Sequence, residues 1–452
     1  MKEFSRIENS IRRFVLKLPN RSLLIIICIL IGIVAGISAF LLRSTLQFVQ
    51  NFIKIFGNQN ISNFLLVLLP IAGLFLTVTY VRIFHKKLGL KKGISQILYS
   101  IKNNSSIIEA NQMYGHIISS SLTVGFGGSA GFEAPIVATG SAIGSNIARY
   151  FKFAPEERAL LLASGAAAGI SAIFNAPVAG VLFAIEVLLV DMSVSSFVPL
   201  LLCSATAAVV SKILFHDQLF VLISNDWRVR TIPLYMLLGV LAGLYSVFII
   251  RQTLFINRIF GKIRNVWVKA AIGGLLLSAL IVLFPSLFGE GYNSIQHILD
   301  LNVLFPLNDK WFDAGKTEMY WAIMALLFAK VYATSFTISS GGNGGIFAPS
   351  LFMGGVLGYI FAKFINSTGI IELPVVYFIV AGMAGILSGV IKIPLTAVFL
   401  IAEITGGYVL FVPLMIVSAS SFYISSYFEH RSIYRIELEL IERKLKKTAV
   451  PS

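Results

Sequence analysis

Apolar positions along this chain come as long unbroken runs, and not as the single stripe that a surface helix shows. Leu23–Leu42, Phe64–Tyr80, Leu234–Ile250, Ala271–Leu283 and Trp321–Val331 reach or approach the roughly 20 residues that cross a hydrocarbon core. Runs with no polar face predict helices immersed in lipid. Several are too short for a simple crossing, and glycine or proline interrupts others, the pattern of transporters whose helices break within the membrane. Polar positions gather between the runs. Lysine and arginine cluster at Lys2–Arg21, Arg82–Lys92, Arg149–Arg158 and Arg431–Lys447, which predicts cytoplasmic faces there and both termini inside. Within Met1–Arg21, Ile7, Ile11, Phe14, Val15 and Leu18 recur at helical spacing, predicting an amphipathic helix on the inner surface. Leu301–Tyr320, with Asn308, Asp309, Lys310, Asp313 and Lys316, is the best extramembrane loop.

Composition agrees and narrows the class. Hydrophobic residues make up 57% of the chain and charged residues 13%, with a mean hydropathy of +0.85. A soluble domain is excluded. The net charge of +15 lies in membrane-flanking clusters, so it reads as topology and not as a nucleic-acid groove. Cys28 and Cys203 sit in apolar runs and are expected as core residues without a disulfide. Histidines and cysteines lack metal-ligand spacing, and neither a metal nor a cofactor is expected.

Two segments share the frame G-x-x-A-P: Gly131-Phe132-Glu133-Ala134-Pro135 and Gly345-Ile346-Phe347-Ala348-Pro349. Each follows a glycine cluster, Gly125 to Gly131 and Gly341 to Gly345, and each leads into an apolar stretch. Proline in the first turn predicts a helix that begins inside the membrane. Such a start is an anion site, because its first amides have no internal acceptor and carry the positive end of the helix dipole. A second shared element follows: Gly169 to Pro177 leading to Glu186 can be laid over Gly385 to Pro394 leading to Glu403, with the same proline-to-glutamate spacing. The chain therefore divides into 1–21 (surface helix), 22–225 and 226–436 (two membrane repeats) and a short cytoplasmic tail, 437–452. Sequence supports common descent of the halves, not their relative orientation.

Together, Gly127-Gly128-Ser129-Ala130-Gly131-Phe132-Glu133-Ala134-Pro135, Gly165-Ala166-Ala167-Ala168-Gly169, Phe174-Asn175-Ala176-Pro177 through Glu186, and Gly344-Gly345-Ile346-Phe347-Ala348-Pro349 resemble the CLC family of chloride channels and chloride/proton exchangers. The resemblance runs from Ile25 to about Tyr434. It implies an all-α polytopic membrane protein, an inverted repeat of about eighteen tilted, partly non-spanning helices. It also implies a homodimer with one chloride pathway per subunit in the cell membrane, with no enzymatic activity. Phe197–Val210 and Leu410–Tyr423 would form the dimer contact. The cytoplasmic nucleotide-binding (CBS) domains common in the family are not expected in the short tail, 437–452. Glu133 matches the gating glutamate that competes with anions and can take up protons. The amides of Phe132, Glu133 and Ala134 match the outer anion site, and those of Ile346 and Phe347 the central one. Tyr434 resembles the tyrosine whose hydroxyl closes the inner side; its other reading is an interfacial tyrosine of the aromatic belt. Phe347 is expected as a packing wall, because a ring face repels an anion.

Two departures bear on coupling and selectivity. Lys92 stands where the family has an inner serine; it either attracts anions to the inner side or extends to the cytoplasmic surface beside Lys86, Lys87 and Lys91. Val187 stands where exchangers place an inner proton-transfer glutamate, and valine carries no proton. That substitution leans toward a voltage- or pH-gated channel or a weakly coupled conductor, with a chloride/proton antiporter as the alternative. Glu186 and Glu403 are expected as paired structural carboxylates. Gly289-Glu290-Gly291-Tyr292 resembles the family's opening of the second half and suggests no chemistry. A sodium-coupled organic anion transporter would need oxygen ligands that do not accompany Glu133, Glu186 or Glu403. Gly127-Gly128-Ser129-Ala130-Gly131 also fits the G-x-S-x-G elbow of hydrolases, but that elbow needs a preceding strand and a partnered histidine. His116 is the nearest, and His85, His216, His297 and His430 show no partner pattern.

Overall fold

The computed structural model describes residues 20–56, 63–85, 90, 92–188, 194–215, 227–299 and 316–449. Its first half runs α1 (Asn20–Phe56), α2 (Asn63–Phe84), α3 (Ile94–Asn103), α4 (Gln112–Gly125), α5 (Glu133–Tyr150), α6 (Pro155–Phe174), α7 (Pro177–Phe183) and α8 (Val194–Leu214). A π-helical turn, Ala184–Leu188, extends α7. The second half repeats the order: α9 (Ile232–Gly261), α10 (Val266–Leu283), α11 (Tyr292–Leu299), α12 (Lys316–Ser339), α13 (Phe347–Ser367), α14 (Val375–Ile391), α15 (Pro394–Ile404) and α16 (Phe411–Phe428). A final helix, α17 (Ile433–Ala449), follows.

Nine helices among the described residues are long and apolar enough to cross a membrane. The five apolar runs lie inside α1, α2, α9, α10 and α12, each shorter than its helix. Trp321–Val331, for instance, is the middle of a 24-residue helix. Serine and threonine dilute the pattern toward its end, where they hydrogen-bond back to the preceding turn, as Ser335 Oγ does to Val331 O. Residues 1–19 and 300–315, and with them most of the predicted surface helix and loop, lie outside the described residues.

The halves pack alike because the same glycines let the same backbones touch. On α5, a Cβ at Gly140 would lie 2.1 Å from Gly165 O of α6, and one at Gly144 would lie 2.1 Å from Leu161 O. On α13, a Cβ at Gly354 would lie 2.3 Å from Gly382 O of α14, and one at Gly358 would lie 2.0 Å from Phe378 O. Gly32 and Gly36 bring α1 onto α8 in the same way, and Gly239 and Gly243 bring α9 onto α16. Small residues four apart are how membrane helices gain close contact, since lipid supplies no hydrophobic drive between them.

A second tie crosses between the halves. Glu403, near the end of α15, accepts from Val178 N (3.1 Å) and Ala179 N (2.9 Å) at the start of α7. Glu186, just past α7, accepts from Leu395 N (3.0 Å), Thr396 N (2.8 Å) and Thr396 Oγ1 (2.6 Å) at the start of α15. Each carboxylate thus caps the other repeat's short helix, satisfying amides that lipid would leave unpaired. Glu403→Ala should lower stability by about 1–3 kcal/mol, read as a fall in melting temperature in detergent, with Glu403→Gln losing less. An unchanged melting temperature in the alanine variant would contradict the capping role.

Candidate functional site

The duplicated motif meets itself. Gly131 N donates to Gly345 O at 2.9 Å and Gly345 N to Gly131 O at 2.7 Å, an isolated antiparallel bridge joining the two G-x-x-A-P segments. The bridge sets the start of α5, capped by Phe132, against the start of α13, capped by Ile346. The first amides of both helices have no acceptor within their own helix, and both dipoles present their positive ends. Phe132, Glu133, Ala134, Ile346 and Phe347 are all buried. Two converging helix starts in an apolar interior make a place with the electrostatics to accept an anion.

The Glu133 carboxylate occupies part of that place. It is buried, and its Oε2 reaches across the bridge to Ala348 N of α13 at 3.4 Å. Its Oε1 accepts from the Tyr292 hydroxyl at 2.5 Å. A Cβ at Gly131 would lie 2.0 Å from Oε2, so a glycine is required there for the carboxylate to lie in this position. The Phe347 ring packs against Phe174 (5.6 Å between centroids) and Phe183 (6.4 Å).

The Tyr434 side chain is buried. Its hydroxyl has no hydrogen-bond partner among the described residues. This does not fit a tyrosine of an aromatic belt, whose hydroxyl would face the interface. Helix α17 is tied to α3 through Ser95 Oγ to Glu437 Oε2 at 2.8 Å and Asn103 Nδ2 to Glu442 Oε1 at 3.1 Å.

Lys92 is half-buried. Its ammonium donates to the carbonyl of Gly341, at the start of the glycine cluster before α13. Within that cluster, Asn343 bonds Ser119 Oγ (2.6 Å) and His116 Nδ1 (3.2 Å) through its side chain and Thr123 Oγ1 (2.9 Å) through its amide. Val187 is buried and lines a cavity of about 200 Å³ together with Glu186, Lys392, His430 and Arg435. Ser129 Oγ accepts from Lys330 Nζ at 2.9 Å, whereas His116 belongs to the Asn343 network, so the serine and histidine of the hydrolase pattern have separate partners.

Two residues at the site went unread in the sequence. Lys330 is a lone cation in an apolar span, which is by itself a signal of a functional position. Tyr292 gave no signal beyond the flanking glycines, because its contact to Glu133 spans the two halves.

These motifs lie within a larger match. A family model described as "Voltage gated chloride channel" matches residues 72–426. The chain belongs to the CLC family. Among CLC relatives, it is 30% identical over 445 residues to "Chloride channel protein CLC-e" of Arabidopsis thaliana, an alignment covering 90% of this chain and 60% of the relative. It is 32% identical over 343 residues to the "H(+)/Cl(-) exchange transporter ClcA" of Klebsiella pneumoniae, covering 72% and 67%. The chain spans only 60% and 44% of the lengths of two plant relatives, CLC-e and CLC-f. A solved structure titled as a slow cyanobacterial Cl-/H+ antiporter superposes with a TM-score of 0.79 at 21% identity, covering 94% of this chain and 99% of that one. The fold is the CLC inverted repeat.

Proposed function

We propose that the chain moves chloride across a membrane through a path between the starts of α5 and α13, closed by the carboxylate of Glu133. One observation carries the reading: a buried carboxylate from one helix start lies against the amide of Ala348 at the other, in a place built for an anion. Protonation neutralises that carboxylate, weakens its hold on the amide donors and leaves them to chloride. The amides of Phe132–Ala134 serve the outer site and those of Ile346 and Phe347 the central one. The Tyr434 hydroxyl donates to the central anion and closes the inner side. Lys92, held at Gly341, places positive charge near the central helix start and draws anions inward. Repeats 22–225 and 226–436 form each subunit, and the apolar faces at Phe197–Val210 and Leu410–Tyr423 meet across a homodimer in the cell membrane, with both termini inside.

Val187 favours a channel or weakly coupled conductor over the antiporter, since the inner position carries no acid. Chloride and proton movements recorded together from purified protein in liposomes, with valinomycin clamping the voltage, distinguish them. Chloride flux with no proton movement is the expected result. Protons driven uphill by a chloride gradient, and halted by Glu133→Gln, would establish exchange; absence of any chloride flux would sink the transport reading itself.

A further inference from the structure

We propose that Tyr292 is a positioning residue of the gate: its hydroxyl holds the Glu133 carboxylate in the anion path and thereby sets how well chloride competes for that place. This rests on the reading of Glu133 as the gate. The hydrogen bond from Tyr292 to the carboxylate is much shorter than the one from Ala348 N, at 2.5 Å against 3.4 Å. A hydroxyl donating to a carboxylate at this separation makes a charge-assisted bond, roughly twice as strong as a neutral one. Tyr292 is the principal directional tie on the closed gate.

The donor is fixed in place from several sides. Its ring packs at 5.9 Å from Phe132 and edge-on at 6.3 Å from Phe174, so the hydroxyl cannot follow a departing carboxylate far. Its backbone enters α11 through Gly289 and Gly291, at φ 72° and 99°, where a side chain would be strained. A Cβ at Gly291 would also lie 2.9 Å from the Phe352 ring. One buried ammonium then locks donor to acceptor: Lys330 Nζ bonds Gly289 O at 3.2 Å, three residues before Tyr292, and Ser129 Oγ at 2.9 Å, four residues before Glu133. Lys330 spans the two loops that deliver the two partners. A chloride is larger than a carboxylate oxygen and cannot come as close to a donor held at this distance. The tyrosine therefore favours the carboxylate over the anion.

Tyr292→Phe keeps the ring and its packing and removes only the hydroxyl, so the fold should survive. The half-saturating chloride concentration for flux should fall about tenfold, and flux at neutral pH should rise. In a Glu133→Ala background the same substitution should change neither quantity. Liposome chloride flux across a chloride series, for the wild type, both single variants and the double variant, decides it. If Glu133→Ala alters flux while Tyr292→Phe does not, or if Tyr292→Phe acts equally in both backgrounds, the positioning role falls and the gate stands. If Glu133→Ala itself changes nothing, the gate reading falls and this inference with it.

Discussion

Glu133→Ala is expected to raise chloride flux at neutral pH by about tenfold or more and to remove its dependence on pH. The magnitude follows from what the side chain does in the closed position. It accepts hydrogen bonds from Tyr292 and Ala348, and charged-group hydrogen bonds contribute about 1.5–3 kcal/mol each, where 1.4 kcal/mol is a factor of ten. Chloride must overcome that hold to reach the amides. The sign of the pH effect follows from the same contacts. As pH falls, the carboxylate takes a proton, the charged acceptor disappears and chloride competes on better terms, so flux in the wild type rises with acidity. Alanine has nothing to protonate, and its flux should be flat from acid to neutral pH. Chloride efflux from liposomes over a pH series checks both statements; a variant that kept the wild-type slope would show that another group governs the path.

The second large effect concerns the scaffold. Gly140→Val and Gly354→Val should each prevent recovery of folded protein. Their Cβ atoms would meet main-chain carbonyls at 2.1 and 2.3 Å, and no rotamer change can move a backbone. Relief requires separating α5 from α6, or α13 from α14, and the starts of α5 and α13 form the site. A cost above about 4 kcal/mol is expected, enough to unfold many proteins. Gly355 provides the internal control. It neighbours Gly354 on the same helix, yet a Cβ there would lie 3.5 Å from Ile379 Cγ2, an ordinary contact. Gly355→Ala should behave as the wild type in size-exclusion and thermal-melting profiles. Equal yields of Gly354→Val and Gly355→Ala would contradict this account of the helix crossings.

What could be read in the sequence depended on whether an interaction was local or crossed the repeat. The helix starts at Glu133 and Phe347 were legible because glycine and proline lie within a few residues of each other, and the physics of a helix N-terminus acts over that range. The pairing of Glu186 with Glu403 was legible as a match of spacing. Their reciprocal capping was not, since each carboxylate bonds amides of the opposite half. Tyr292 was invisible for the same reason: its partner is 159 positions away. The sequence left Lys92 open between an inner anion role and the surface because its flanking lysines suggested solvent, and the Gly341 carbonyl that its ammonium bonds is contributed by the other half. The glycines at four-residue spacing, Gly140 and Gly144, Gly354 and Gly358, were plain in the sequence and went unused. Apolar runs alone had already explained those segments.

The most direct test is to locate the anion. Crystals of the wild type and of Glu133→Gln grown in bromide, whose anomalous scattering identifies the ion, would be compared. In both, the account predicts bromide at the amides of Ile346 and Phe347 beside the Tyr434 hydroxyl. In the glutamine variant it also predicts bromide in the position of the Glu133 carboxylate, near Ala348 N. Bromide elsewhere in the subunit, with none between the starts of α5 and α13 in either protein, would contradict it.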